Sequence, residues 1–401
     1  MEKNNSNLVI ITRSFPYGKS ESFLETEIQY LATNFEKIII WPLKTGNDLR
    51  QLPSNVKISN VLNEEFKSNQ IQKLDVLFSP SFLRNVRWNK NYIKKLYTDV
   101  VYIKVFKNLL NQVGKELILS DTLFYTYWFA SDTVALSTYK KAYNYSLISR
   151  THGSDLYEKV SGFKYFPFRS KVLNTIDRIF TISNDGIRHL HGKYNFSSRK
   201  VQLARLGTLK GKINARKSSS YDISIVSCAF LTEVKRIELL LDAVSSITDV
   251  KVKWTHIGGG PLETKLISKG KAASNNIEIE FLGNMKNPEI HKHYQNNFYD
   301  AFINVSSSEG IPVSIMEAQS YEIPVIATDV GGVSEIVNAE VGYLLPSDPT
   351  VKEVRDAILS VRDDAWAMKR KMAYENWKTN YSAEKNYTEF AANLKELVKK
   401  H

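Results

Sequence analysis

Two acidic residues flank the start of a predicted helix in the second half of the chain. Glu309 lies in the loop SSSEGIP, and Glu317 follows eight residues later, in a helix that should begin near Pro312. The first turn of a helix has free N–H groups and a positive dipole end, so it attracts an anion. The two carboxylates could accept hydrogen bonds from hydroxyl groups on either side of that anion, as in a nucleotide sugar. The spacing alone fits equally well a solvated loop acid and an ordinary helix acid.

Other residues in this half have the types expected around a phosphate. Glycines directly after a strand let the backbone approach a ligand closely. Such glycines occur in the run 258–260, and a Gly-Asn turn follows the next predicted strand. The serines 306–308 could provide the N-cap of the helix near Pro312. The residues predicted to contact the phosphates and the nucleotide are Gly258, Gly259, Asn284, Gly310, Ile311, Pro312 and Val313.

The first half contains two candidate loops of its own. Gly18, Lys19 and Ser20 precede a helix predicted over Glu21–Ala32, with Ser20 as its N-cap. In the sequence RTHGSD, His152 follows a strand directly, and Asp155 lies in the same loop. A residue at the carboxyl end of a parallel strand faces the ligand crevice of a doubly wound sheet. The first loop could also be a simple turn, and the histidine could be satisfied within a packed loop.

Regular elements are needed to position these residues, and the sequence alternates buried-strand runs with helical patterns along its length. Residues 300–337 alone give strand, loop, helix and strand, which is a parallel βαβ unit. The predicted fold class is therefore α/β, with two Rossmann-like doubly wound parallel-sheet domains. The polar stretch 208–220 is the predicted linker between a domain at 1–207 and a domain at 221–381. Residues 62–118 are less regular.

Composition limits the protein class. The chain has 401 residues, of which 43% are hydrophobic, and only one cysteine, Cys228, which excludes a disulfide framework and suits a reducing cytoplasm. No apolar run reaches the ~18–20 residues of a membrane span, and the first residues lack a secretory signal pattern. We therefore expect a cytoplasmic protein.

The charge is unevenly distributed. Residues 1–200 contain 29 Lys and Arg against 17 Asp and Glu, so 29 − 17 = +12, which equals the net charge of the whole chain. The pattern over Lys90–Leu110 predicts a basic amphipathic helix. This helix either packs its aromatic residues inward and leaves a solvated basic face, or it lies on anionic lipid headgroups. The second alternative would make the protein peripheral at the inner face of the plasma membrane. No nucleic-acid-binding motif accompanies the charge, so we expect no nucleic-acid partner.

The block from Asp300 to Val337 resembles the signature of glycosyltransferase family 4. The E-x7-E pattern runs from Glu309 to Glu317, and the PVIATDVGG-x-x-E run from Pro324 to Glu335 follows it. The resemblance implies a retaining glycosyltransferase of the GT-B fold, with two domains facing a cleft and a final helix, at about 382–401, returning to the first domain. It implies a UDP- or GDP-sugar donor and an acceptor that is lipid-linked, a glycan or a protein, as in surface polysaccharide assembly.

The resemblance also suggests roles for single residues. Lys235 matches the lysine that neutralises the donor diphosphate, whereas Phe230 occupies the place of an arginine that usually shares this task. Arg205 is a candidate to supply the missing positive charge. His152 matches a histidine that faces the donor sugar, so the implied catalytic residues are Glu309, His152 and Lys235. Gly18, Lys19, Ser20 and Asp155 are the implied acceptor-side loop residues.

The sequence contains no Asp-x-Asp triplet, which argues against a metal-dependent GT-A enzyme, and we expect neither a metal nor another cofactor. Two alternatives share the architecture: a sugar-nucleotide 2-epimerase and a non-catalytic nucleotide-sugar-binding subunit of an assembly complex. The presence of Phe230 in place of the usual arginine is compatible with a non-catalytic subunit. A DNA-binding protein is the weakest alternative, because the second half of the chain has no net charge.

Overall fold

The computed structural model of the chain describes residues 7–18, 20–68, 71–87, 89–115, 117–158, 161–162, 166–213 and 220–398. The chain divides into two units, Met1–Arg205 with Glu384–His401 and Leu206–Ala383, here called the first and the second unit. Each unit is built around one parallel sheet.

The sheet of the first unit has seven strands in the order β3-β2-β1-β4-β5-β6-β7, all pairing in parallel. The strands are β1 (Asn7–Thr12), β2 (Lys37–Pro42), β3 (Val56–Ile58), β4 (Thr122–Thr126), β5 (Ser146–Thr151), β6 (Arg178–Thr181) and β7 (Val201–Leu203). Its helices are α1 (Phe23–Asn34), α2 (Val61–Ser68), α3 (Lys73–Leu77), α4 (Pro80–Leu83), α5 (Lys90–Val113), α6 (Ser131–Tyr143), α7 (Arg169–Thr175) and α8 (Asn184–Lys193).

The interior strand β1 is apolar and buried from Leu8 to Ile11 because both faces of its sheet are covered. Its side chains alternate between the faces, as the period of a strand requires. Val9 and Ile11 belong to the core that includes residues of α5 and α6, whereas Leu8 and Ile10 belong to the core that includes residues of α1. The sheet therefore forms the middle of three layers.

The sheet of the second unit has six parallel strands in the order β10-β9-β8-β11-β12-β13. The strands are β8 (Ile223–Cys228), β9 (Val252–Ile257), β10 (Ile277–Phe281), β11 (Ala301–Asn304), β12 (Val325–Thr328) and β13 (Gly342–Leu345). Its helices are α9 (Ile237–Ser245), α10 (Glu263–Gly270), α11 (Asn287–Asn296), α12 (Val313–Ser320), α13 (Val351–Leu359) and α14 (Asp364–Asn380).

The last helix, α15 (Ala383–Val398), packs on the first unit. Its Phe390 ring lies 5.6 Å from the ring of Tyr125 and 5.0 Å from that of Phe180. The guanidinium of the buried Arg150 lies 4.1 Å from the centre of the Phe390 ring. Aromatic contacts and a cation over a ring face therefore hold this helix against the sheet.

Some predicted elements differ from the observed ones. Strands β3 and β13 and helix α11 were not predicted. The two strands are short and lie at sheet edges, so their sequences, VKI and GYLL, lack a long apolar run. Thr208, in the predicted linker, instead pairs with Ser382 and accepts a hydrogen bond from Trp377 at 2.8 Å. Residues 214–219 of that linker lie outside the described residues. Within the described part, no helix is both long enough and apolar enough to cross a bilayer.

Candidate functional site

The candidate site of the second unit lies where the order of its strands reverses. From β8 the chain moves to β9 and β10 on one side, and β11, β12 and β13 then extend the sheet on the other side. At such a point the loops leaving two neighbouring strands diverge and open a crevice at the carboxyl edge of the sheet. The loop after β8 contains Lys235 in a short 3-10 turn, and the loop after β11 contains Glu309.

The two predicted catalytic residues of this unit meet at that edge. Lys235 Nζ donates to Glu309 Oε1 at 2.5 Å, and their side chains are 27% and 11% exposed. Ser306 Oγ donates to the same carboxylate oxygen at 2.7 Å, and Asn304 Nδ2 approaches it at 3.4 Å. A half-buried cation therefore lies beside a carboxylate that its neighbours orient, and both remain accessible to a ligand.

The start of α12 differs from its prediction. Pro312 is the N-cap and no side chain caps the helix, so none of the serines 306–308 has the predicted capping role. Ser306 instead donates to Glu309, and the Ser307 backbone N–H donates to the carbonyl of Val234 at 2.8 Å. The serines are used to shape the loop, and the first N–H groups of α12 have no side-chain cap.

Glu317 is buried in α12, at 7% exposure. Asn287 Nδ2 donates to Glu317 Oε1 at 2.6 Å, and His291 Nε2 lies 3.9 Å from the same oxygen. Burial raises the pKa of Glu317 to about 7, although the hydrogen bond from Asn287 opposes the shift. A buried carboxylate with a strongly raised pKa at a crevice is typical of a ligand site. Asn287, on the helix α11 that was not predicted, is thus a site residue that the sequence reasoning missed.

The predicted glycine loop lies beside the loop after β8. A Cβ at Gly258 would lie 2.0 Å from the carbonyl oxygen of Ala229, and Gly258 has a φ of +132°, so only glycine fits there. The Gly259 N–H donates to Asn284 Oδ1 at 3.0 Å. The structure thus brings Gly258, Gly259 and Asn284 together, and the glycines allow close backbone packing below the crevice.

A second close approach fixes Glu309. Gly331 has a φ of +57°, and a Cβ there would lie 2.0 Å from the carbonyl oxygen of Glu309. The Gly332 N–H donates to the Gly310 carbonyl at 2.9 Å. The Gly-Gly pair after β12 therefore holds the backbone of the Glu309 loop.

Arg236 is the main residue that the sequence reasoning missed in this unit. Its guanidinium donates to the carbonyls of Val305 at 2.6 Å, Ser306 at 2.9 Å and Ser347 at 2.9 Å, and also pairs with Asp348. It thereby ties the loops after β8, β11 and β13 together. The only local signal for Arg236 was its neighbour Lys235, because the carbonyl groups that accept its hydrogen bonds lie some 70 to 111 positions further along the chain.

The first unit holds the His152 loop. His152 is 7% exposed and its ring lies 4.5 Å from that of Trp128 and 4.9 Å from that of Tyr127. Asp155 accepts the His152 N–H at 2.8 Å, and its Oδ2 lies 3.5 Å from His152 Nδ1. Burial would raise the pKa of Asp155, but the contacts from His152 outweigh it and lower this pKa. Asp155 therefore holds the backbone of this loop, and within the described residues neither ring nitrogen of His152 has a hydrogen-bond partner. The contact of His152 with a donor sugar stays a prediction.

The loop after β1 is organised by Glu21 rather than by the predicted cap Ser20. The Glu21 carboxylate accepts the N–H groups of Arg13, Ser14 and Phe15 at 2.8–2.9 Å and the indole N–H of Trp128 at 2.7 Å. Glu21 has a φ of 55°, so the helix cannot include it and begins at Phe23. These bonds join the loops after β1 and β4.

The other first-unit candidates have the following positions. Arg50, which follows β2, donates to the carbonyl of Gly18 at 2.6 Å and to that of Ser20 at 2.8 Å, so the segment after β2 holds this loop. Lys19 lies outside the described residues. Arg205 is half-buried at the end of the first unit, so its role in binding the diphosphate stays a prediction.

Comparison with known proteins gives a family match for part of the chain. Residues 212–379 match the model of glycosyl transferases group 1. The O-antigen biosynthesis glycosyltransferase WbnH of Escherichia coli is 31% identical over 163 residues, which are 38% of this chain and 44% of that protein. The putative colanic acid biosynthesis glycosyltransferase WcaL of Escherichia coli is 26% identical over 208 residues, 49% of this chain and 50% of that protein. The chain thus spans about half the length of these curated relatives.

The fold extends further than the sequence match. The structure of Anabaena HepE in complex with UDP and glucose has a TM-score of 0.65 at 14% identity, and the match covers 98% of this chain and 100% of that chain. The predicted fold class, the GT-B type with two Rossmann-like parallel-sheet units, is confirmed.

Proposed function

We propose that the chain is a retaining glycosyltransferase that moves a sugar from a nucleotide-diphosphate sugar to an acceptor hydroxyl. The observation that carries this proposal is the Lys235–Glu309 pair at the strand-order reversal of the second unit, with the buried Glu317 eight residues further on. The match of residues 212–379 to glycosyl transferases group 1 and the UDP and glucose bound by HepE support it.

The second unit supplies the charge pattern that such a donor needs. The bond between the anomeric carbon and a phosphate oxygen breaks, so negative charge grows on the departing diphosphate. Lys235 and the uncapped N–H groups at the start of α12 would stabilise that charge, which is the main contribution a protein can make to this step. Glu309, already oriented by Ser306, would accept a sugar hydroxyl, and Glu317 a ribose hydroxyl.

Retention of configuration follows if the acceptor oxygen attacks from the face that the diphosphate leaves. The new bond joins the acceptor oxygen to the anomeric carbon, and the departing phosphate oxygen takes the acceptor proton. No protein nucleophile is needed in this scheme. The protein then contributes positioning and electrostatic stabilisation.

The acceptor in this proposal is a growing glycan, either lipid-linked, free or on a protein, in polysaccharide biosynthesis in the cytoplasm. The O-antigen and colanic acid roles in the names of WbnH and WcaL support this choice. We propose that the reaction needs no metal, so turnover should survive EDTA at a concentration that strips Mg²⁺.

A nucleotide-release screen over UDP-, GDP- and ADP-sugars tests the proposal. We expect slow hydrolysis of one donor, accelerated by the correct acceptor, and the anomeric proton of the product should report the same configuration as the donor in NMR. A 2-epimerase would instead convert the sugar without an acceptor product. If a donor is bound but neither hydrolysed nor transferred, the chain is a non-catalytic nucleotide-sugar-binding subunit, a result that Phe230 in place of the usual arginine would explain. If no donor is bound at all, the proposal is wrong.

We expect Gly331→Ala to lower this turnover by about 10²-fold, because the added Cβ displaces the backbone of Glu309 and small misplacements at the reacting centre cost about that much. Gly162→Ala is the matched control. Gly162 also has a positive φ, of +71°, but a Cβ there meets no atom within 4 Å. The control adds backbone strain without moving the site, so equal loss in both variants would contradict the role given to Gly331.

A further inference from the structure

The first unit exposes large apolar side chains in one short stretch. Leu74 and Phe78 on and after α3 are 60% and 70% exposed, and Leu83 and Val86 at and after the end of α4 are 56% and 45% exposed. Isolated exposed apolar side chains are ordinary, whereas a cluster of them marks an interaction site.

The opposite side of the same stretch is anchored. Val76 and Phe82 are buried in a small core with Tyr92, Leu96 and Val100 of α5. Ser79 joins α3 to α4: its Oγ donates to the Val76 carbonyl at 2.7 Å and accepts the Phe82 N–H at 3.2 Å. The segment is therefore fixed with one apolar side in the core and the other in solvent. The outer apolar residues contribute little to the core of this unit, because about half or more of each side chain is exposed.

Positively charged residues flank the exposed apolar residues in sequence. Residues 73–94 contain five Lys and Arg and one Asp, so 5 − 1 = +4. Lys73, Arg84, Lys90 and Lys94 are exposed. Lys95, which the sequence grouped with them, is different: it pairs with the buried Asp99 and donates to Ser131.

The structure also favours one of the two alternatives for the basic helix, that of a helix that packs its aromatic residues inward. Most of α5 is a core helix, with Ile103, Phe106, Leu109 and Leu110 buried in the main core of the first unit. Only its first turns contribute exposed cations. The apolar contact residues come instead from α3 and α4, which periodicity alone did not indicate because each is about one turn long.

We propose that residues 73–87 and 89–94 form a docking surface for an anionic lipid bilayer, here called the α3–α4 surface. Leu74, Phe78, Leu83 and Val86 insert below the headgroups, and the surrounding cations contact lipid phosphates. Exposed apolar residues flanked by cations are the pattern of interfacial membrane binding, and the net charge of +4, with Asp75 as the single acid, favours an anionic surface over a neutral one. The inference goes beyond the transfer reaction and does not depend on it.

Sedimentation with phosphatidylcholine vesicles, with and without phosphatidylglycerol, tests this surface on the full chain. The wild-type protein should pellet with the anionic vesicles at low ionic strength and be released at ~1 M salt, where the Debye length is about 3 Å. Phe78→Ser with Leu83→Ser should weaken partitioning by about tenfold or more, from the lost apolar burial. Arg84→Ser with Lys90→Ser should weaken it roughly 25-fold, about fivefold for each cation.

Matched controls lie in the same unit. Ile118→Ser removes a side chain that is 65% exposed but lies outside the α3–α4 surface, and Lys141→Ser removes an exposed lysine elsewhere. Both should bind vesicles like the wild type. All variants should keep the wild-type melting temperature and nucleotide affinity in solution, which separates this test from that of the transfer reaction. Absence of vesicle binding at low salt, or equal losses in the controls, would overturn the proposal, and the second result would point to a non-specific charge effect or a protein partner.

Discussion

Lys235→Ala and Glu309→Ala are each expected to lower the rate of sugar transfer by on the order of 10²–10³, because each removes a charged contact at the reacting diphosphate or sugar. The fold should survive. Both residues lie in loops at the edge of the sheet, and a pair with a 27% exposed lysine contributes only about 0–1 kcal/mol to stability. Nucleotide release and melting temperature, measured on the same preparations, check both parts of this expectation.

The second unit offers a matched control for this prediction. Lys253, 30% exposed, pairs with Glu278 at 2.8 Å and with Glu280 at 3.4 Å, away from the loops after β8 and β11. Lys253→Ala should leave turnover unchanged. Lys235→Arg keeps the charge and should recover part of the lost rate. Turnover near the wild-type rate in both Lys235→Ala and Glu309→Ala would show that the reaction is elsewhere.

Glu317→Gln is expected to stabilise the second unit at pH 8 and to weaken nucleotide binding. The carboxyl group has an ordinary pKa of 4.5 that burial raises to about 7. Between these values the folded protein keeps a proton that the unfolded chain has lost, so stability falls as the pH rises through this window. The full cost, on the order of 3 kcal/mol, is present above about pH 7 and is removed by the uncharged glutamine.

Thermal melts at several pH values measure the stability of Glu317→Gln relative to the wild type. The variant should melt several degrees above the wild type at pH 8, and the difference should vanish near pH 4.5. Glu278→Gln, at an exposed glutamate of the same unit, should show no such pH-dependent gain. A constant offset between Glu317→Gln and the wild type would contradict the assignment of the buried charge.

The effect of Glu317→Gln on nucleotide affinity should be opposite to its effect on stability. A ribose hydroxyl donates to the ionised carboxylate, so wild-type affinity should rise with pH through about 7, and that of Glu317→Gln should not. The loss at pH 8 should be about tenfold or more, since a hydrogen bond to a charged group contributes about 1.5–3 kcal/mol. A stability gain combined with a binding loss is the signature of a residue kept for its ligand.

The sequence predicted the positions of the main strands, because buried parallel strands are apolar runs that end in polar loops. The strand order and its reversal are seen only in the structure. The same pattern placed Glu309 in the loop after a buried strand, whereas Lys235 was indicated only by the resemblance to glycosyltransferase family 4. The sequence did not predict Arg236, whose acceptors come from loops far along the chain. Nor did it predict the role of Glu21, whose carboxylate accepts hydrogen bonds from three backbone N–H groups of the loop after β1. Nothing in the local sequence distinguishes Glu21 from an ordinary acidic residue of a helix.

Predictions were wrong where one residue could have either of two structural roles. The serines 306–308 have the right type for an N-cap, but Pro312 takes that place and Ser306 orients Glu309. Lys95 follows a basic pattern on α5, yet the helix turns it toward the buried Asp99. The role that such a residue takes depends on its tertiary contacts, which the sequence of a single helix or loop does not reveal.

Calorimetric titration of UDP and GDP into the wild type, Lys235→Ala and Lys253→Ala tests the central claim most directly. One of the two nucleotides should bind the wild type and Lys253→Ala equally, with an affinity better than roughly millimolar, which corresponds to about −4 kcal/mol. Lys235→Ala should bind it about tenfold or more weakly, because the charged contact to the diphosphate is lost. Equal affinity in all three proteins, or no binding of either nucleotide below roughly 1 mM, would contradict a nucleotide-diphosphate site at Lys235 and Glu309.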